Sequence, residues 1–276
     1  YSETAIREKQ RSEKMKFQQI TILVVLVVLF CGGIAVADWQ EGDGHKMHYP
    51  QLPDPNGWDI NVVRDAIHDD FRCRQTGPIE DVHFWVSWEG DRTGPPENIS
   101  WIDIGILADV PADAPGNNLG YSHPLCGMYN SEALWQKRFL PGEWTVRQAG
   151  VGDQGWASPA NGMWRYSDHD NYYQINIDHI MKPFMQEKDT IYWLAIHIGV
   201  EDYENTSIGW KTSIDHWNDD AVYYLADEDN PEGWRELIDP ETGKSLDMAF
   251  VITPEPATVV VLGLGGIALL RNRKRS

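Results

Sequence analysis

The 276 residues carry 42 Asp/Glu against 23 Lys/Arg, a formal net charge of −19. A surface of that sign repels phosphate backbones and argues against nucleic-acid partners, while suiting solubility, divalent cations or cationic partners. Hydrophobic residues make up 42% of the chain, and all 13 tryptophans fall between Trp39 and Trp234. The chain therefore has the material for an ordinary core and is not of the disordered class.

Residues 1–14 precede a plausible start methionine, Met15, and read as an upstream or disordered leader. From Met15-Lys16 the chain enters an apolar run, Ile20 to Cys31, broken only by Thr21. Ala35-x-Ala37 follows, the small-x-small pattern that signal peptidase reads, so residues 15–37 are expected to be a signal peptide cleaved before Asp38. The run is short for a membrane span. Between the signal and the tail lie 14 Lys/Arg and 38 Asp/Glu, a net of −24 for the expected exported domain, residues 38–252.

Within that domain, period-two alternation dominates. Val82, Phe84, Val86 and Trp88 share one face, and so do Ile102, Ile104 and Ile106, opposite Asp103 and Gly105. Ile191 to Val200 is apolar on both faces apart from His197, as befits a central strand. Further strands are expected at Trp144–Gln148, Tyr173–Asp178, Ile208–Ser213, Ala221–Leu225 and Leu246–Ile252, about eight in all. Val62–Asp69 could form two helical turns. The stretch from Leu119 to Gly162 has few strand signals and reads as an excursion. The pattern predicts an all-β fold, a β-sandwich of jelly-roll type, with an N-terminal signal helix and a short C-terminal apolar helix.

The last segment, residues 253–276, holds Pro254-Glu255-Pro256, an apolar stretch from Thr258 to Leu270, and a basic cluster, Arg271, Arg273, Lys274 and Arg275. The prolines make a stiff spacer, and the basic end would stay cytoplasmic. The 13 apolar residues make a helix of about 20 Å, enough for transient retention in the inner membrane. This tail resembles the PEP-CTERM sorting signal of Gram-negative bacteria that make exopolysaccharide. The resemblance implies recognition by an exosortase-type protease, removal of the tail, and release to the cell surface or extracellular matrix. The central block resembles an uncharacterised domain common in such exported proteins. The matching residues are Gly57-Trp58-Asp59-Ile60-Asn61, His68 to Cys73, Ile79 to Trp88, Ile191 to Leu194, Gly209 to Ser213 and Leu246 to Ile252. That resemblance implies fold and export, and no activity.

No His-Glu-x-x-His, P-loop or dinucleotide fingerprint is present. Gly120-Tyr121-Ser122-His123-Pro124 lacks the closing glycine of a nucleophile elbow. His45 and His48 could face one side of a turn, but no neighbouring Cys or His completes a zinc set. Three acidic loops offer several oxygens at short spacing and are candidate calcium sites. They centre on Asp168 and Asp170, on Asp215 and Asp219, and on Asp227 and Asp229. Trp156, Trp164, Trp217 and Trp234 stand in polar surroundings and are candidates for an exposed glycan platform, the alternative being that they pin loops. Cys73 and Cys126 could form one disulfide in an oxidising compartment. Function is expected to be non-catalytic adhesion, structure or glycan binding in the envelope or matrix. The alternative is a polysaccharide hydrolase using paired carboxylates.

Overall fold

The computed structural model describes residues 39–92, 98–228 and 230–253. The expected signal peptide with its cleavage site, the expected sorting tail and the helix expected in each lie outside the described residues. Those described are almost wholly strand and loop. The strands are β1 (Trp58–Asn61), β2 (Ile67–Arg72), β3 (Gly77–Pro78), β4 (Asp81–Trp88), β5 (Ile99–Val110), β6 (His123–Pro124), β7 (Trp135–Phe139) and β8 (Thr145–Ser158). They continue with β9 (Met163–Ile177), β10 (Met185–Gln186), β11 (Ile191–Val200), β12 (Ile208–Lys211), β13 (Val222–Tyr224), β14 (Trp234–Glu236) and β15 (Phe250–Thr253).

Two main sheets pack in a sandwich-like arrangement. The first runs β12-β1-β8-β9-β4-β15, and a further pairing of β12 with β4 closes five of its strands into a ring. The second runs β14-β13-β2-β11-β5-β6, with β7 also pairing β5. The facing surfaces are apolar for the reason the alternation gives: Val82, Phe84, Val86 and Trp88 of β4 and Ile102, Ile104 and Ile106 of β5 all enter one buried cluster. β11 lies between β2 and β5. Leu194, Ile196 and Ile198 point into that cluster, while Trp193 and Ala195 point into a second, smaller cluster on the other face. That second cluster is roofed by residues of the 111–134 segment, among them Leu119, Tyr121, Cys126 and Met128.

The face of the first sheet turned away from the sandwich core is polar but buried, because the ring closes over it. Asp59 accepts from Lys211 Nζ at 3.0 Å, and His169 Nε2 meets the same oxygen at 3.0 Å. All three side chains are fully buried. Burial raises the Asp59 carboxyl, yet the Lys211 charge and the His169 hydrogen bond hold it below its ordinary range.

Several expectations are corrected. Val62–Asp69 is not helical: Asn61 Oδ1 accepts the amides of Val63 and Arg64 in a turn, and β2 then pairs with β11, which sends Ile67 and Phe71 into the core. Fifteen strands form among the described residues, not eight. The 119–162 stretch holds β6, β7 and the whole of β8, 14 residues long, which pairs with β9 through three register shifts. Its glycines read as loop but mark bulges and close approaches. Gly155, for example, is where the Trp58 ring crosses, and a Cβ there would lie 2.4 Å from it. Cys73 and Cys126 are free thiols, one in each apolar cluster, and the Cys73 thiol donates to the Gln75 carbonyl at 3.1 Å.

Candidate functional site

One cleft, of about 600 Å³, opens where β1, β8 and β9 meet the loops that carry residues 212–216 and 239–246. Its aromatic corner is built by backbone irregularity. Between the pairs Trp156↔Arg165 and Gln154↔His169, β9 carries three residues opposite one of β8. Ser167 in this bulge takes a left-handed φ of 48°. The bulge turns Tyr166 out of the ladder, against the edge of Trp58 at a centroid distance of 4.8 Å. Trp164 meets Trp58 edge-on at 4.9 Å from the other side. Tyr166 remains 56% exposed, so the corner presents a ring to the cleft.

Opposite the rings stands a turn, Asp239-Pro240-Glu241-Thr242-Gly243, that Asp239 organises through its own side chain. Its Oδ1 accepts the amides of Glu241 at 2.8 Å and Thr242 at 3.1 Å. Burial acts to raise the carboxyl, but those amides and the Trp58 side chain hold it below its ordinary range. Asp239 thus stays ionised and ties the turn to the aromatic corner. Asp153, Glu241 and Lys244 line the cleft as well. The Asp54–Gly57 loop closes one end, with Asn56 Oδ1 accepting the amide of Asp153 at 3.1 Å. The arrangement offers a ring face, hydroxyl acceptors and one cation, all reachable by solvent.

The four tryptophans expected as a platform do not assemble. Trp156 and Trp234 are buried, and only Trp164 borders the cleft, through its contact with Trp58. Trp217 is half-buried against His48 at 4.1 Å, with the Arg72 guanidinium 6.0 Å from its ring. Trp156 packs on His169, Trp164 on Trp58, and Trp234 on His68 and Tyr224, all strand residues, because polar neighbours in sequence do not place a side chain in solvent. The calcium loops are also spoken for. Asp168 accepts the Gly90 amide and pairs with Arg165. Asp215 accepts the Leu52 amide, Asp219 binds Ser122, and Asp227 accepts the Asn230 amide and pairs with Arg235. Asp170 is exposed, its amide bonded to Asp91, and Asp229 lies outside the described residues. No group of three or more His, Cys, Asp or Glu able to hold a metal ion occurs among the described residues.

The carboxylates most perturbed lie elsewhere. Asp69 is pushed well up by burial and by the nearby Asp247 and Asp70 charges. Burial, against the Trp217 amide that bonds it and with Asp220, Asp215 and Asp219 nearby, brings Asp247 to about 7. Asp247 stands behind His216, a cleft residue, at 3.7 Å.

The model of a family described as a domain of unknown function, DUF7901, matches residues 47–253. The chain belongs to the DUF7901 family. No curated protein and no solved structure matches it. The matched span contains every cleft residue of this DUF7901 domain, from Asp54 to Leu246. Sequence reasoning missed Trp58, Tyr166, Asp239, Glu241 and Lys244 as a site. The one local signal was the Asp-Pro-x-x-Gly turn beginning at Asp239.

Proposed function

We propose that this chain is an exported envelope or matrix protein, sorted through its PEP-type tail, whose β-sandwich of jelly-roll type binds glycan without cleaving it. The observation that carries the reading is the Trp58–Tyr166 corner facing the ionised Asp239 turn across a cleft of about 600 Å³. A sugar ring has apolar C–H faces and a rim of hydroxyls; the exposed Tyr166 ring suits the first, and Asp153, Asp239 and Glu241 suit the second. The sandwich packing of the two sheets supports the jelly-roll reading, and the leader and tail motifs support export.

A glycan array probed with the full chain, with and without calcium, tests binding. Tyr166→Ala should weaken the retained glycan at least about tenfold with little change in melting temperature, since Tyr166 is mostly exposed. Silence across the array, or retention that Tyr166→Ala leaves unchanged, would sink the proposal. Intact-mass measurement of the protein recovered from the medium should show a chain that starts at Asp38 and has lost the tail beyond the Pro254–Pro256 motif. A second reading, hydrolysis, draws support from Asp247 alone, a carboxyl near 7 behind His216. Release of reducing ends that Asp247→Asn abolishes would favour it over pure binding.

A further inference from the structure

We propose that the outer face of the second sheet carries a separate binding site for an uncharged aromatic ring bearing a hydroxyl group. On that face, next to the small side chain of Ala195, β2 presents His68, its register partner on β11. A cavity of about 610 Å³ opens above them. Its walls are apolar: Leu125 and Met128 from the 111–134 segment, and Trp234 and Tyr224 from β14 and β13. Gly233 makes the aromatic wall possible, having a φ of +83° and no Cβ, which would otherwise lie 2.4 Å from the Tyr224 ring.

Among the polar residues that line the cavity, with Arg64, Asn130, His197 and Glu232, the most deeply buried is His68. It is 1% exposed, and neither ring nitrogen has a hydrogen-bond partner among the described residues, beyond a weak contact with the Ala66 carbonyl. A buried imidazole left with unmet hydrogen-bonding capacity is uncommon, because unmet polar groups in a core are destabilising. Burial lowers the pKa of His68 to about 3, so the ring is neutral and offers one N–H donor and one lone pair. A hydroxyl, which both donates and accepts, is the simplest complement to either. A carboxylate or phosphate would find no matching charge, since Asp65 and Glu232 at the rim offset Arg64.

Three rings already meet edge-to-face here, His68 on Trp234 at 4.9 Å and Tyr224 on Trp234 at 5.3 Å. A further ring extends that pattern, as an aliphatic alcohol cannot. Aromatic walls with a single unpaired polar group at the floor make the common design of a small-molecule site.

The test uses the purified full chain with p-cresol as probe and toluene as its hydroxyl-free control. Binding is read by tryptophan fluorescence and by the ring ¹⁵N resonances of labelled histidine. Saturable p-cresol binding that shifts the His68 resonances is expected, with toluene weaker by about tenfold. His68→Phe should bring the two ligands to similar affinity, and Tyr224→Ala, at an exposed wall, should weaken both. Tyr166→Ala, in the other cleft, should change neither. The proposal is overturned if p-cresol fails to saturate up to its solubility, if toluene binds equally well, or if saturation leaves the His68 resonances in place. Should His68→Phe fail to fold, the wild-type resonances and Tyr224→Ala still decide the matter.

Discussion

Gly152 sets how closely the Asp54–Gly57 loop approaches β8. A Cβ there would lie 1.8 Å from the Pro55 carbonyl oxygen, and a backbone oxygen cannot swing aside. Gly152→Ala should therefore lower stability by about 1–3 kcal/mol, seen as a reduced urea midpoint, and should weaken glycan retention by displacing the loop. Gly127→Ala, with nothing within 4 Å of its Cβ, is the control and should be near neutral. An unchanged midpoint for Gly152→Ala would contradict the packing described. The same residue shows what was hidden in the sequence. β4, β5 and β11 announce themselves because their inward side chains alternate without interruption. β8 does not, since Gly150, Gly152 and Gly155 serve approaches by segments up to about a hundred residues away, and nothing nearby in the chain reveals such a partner. The cleft was illegible for a related reason. Trp58, Tyr166 and Asp239 come from three separate stretches; Trp156 looked exposed beside Gln154 and Ser158, which are themselves buried, and Trp234 turns inward from half-exposed neighbours, Glu232 and Arg235.

At the scale of elements, β1 and β12 are joined by charge as well as by a backbone ladder, and β9, which pairs with neither, reaches them through His169. Asp59, His169 and Lys211 lie where water cannot reach, so each charge depends on the others. Lys211→Met should cost about 3–5 kcal/mol, leaving Asp59 without its cation. The double variant Asp59→Leu/Lys211→Met should recover much of that loss, since a buried pair exchanged for apolar groups of similar volume is often close to neutral. Chemical denaturation of the two variants measures the difference. Equal losses in both would mean that the pair is worth more than its desolvation costs.

The whole molecule should respond to pH through its buried carboxyls. The folded Asp247 pKa of about 7 stands above the ordinary value of 3.8, so between those limits the fold holds a proton that the unfolded chain has lost. Its ionisation therefore costs stability as pH rises toward and past 7. His48 and His68, both lowered to about 3 chiefly by burial, act in the opposite sense, favouring the fold above the ordinary histidine value of 6.5. The informative quantity is therefore the difference between Asp247→Asn and wild type. The melting temperature of the variant should gain on wild type as pH climbs from about 5 to about 8; a constant gap would show that Asp247 titrates normally. The closed ring of the first sheet carries one more consequence, for the order of events in folding. β1 pairs with β8 and β12, and β12 also pairs with β4, joining residues 58–61 and 81–88 to partners beyond position 154. Such non-local pairings have high contact order, so loop-closure entropy must be overcome before these contacts form, and folding on the millisecond-to-second scale is the expectation. Until the last of those strands is seated, several edges of the ring stay unpaired and open to other chains. The refolding yield should therefore fall with protein concentration well before native stability does.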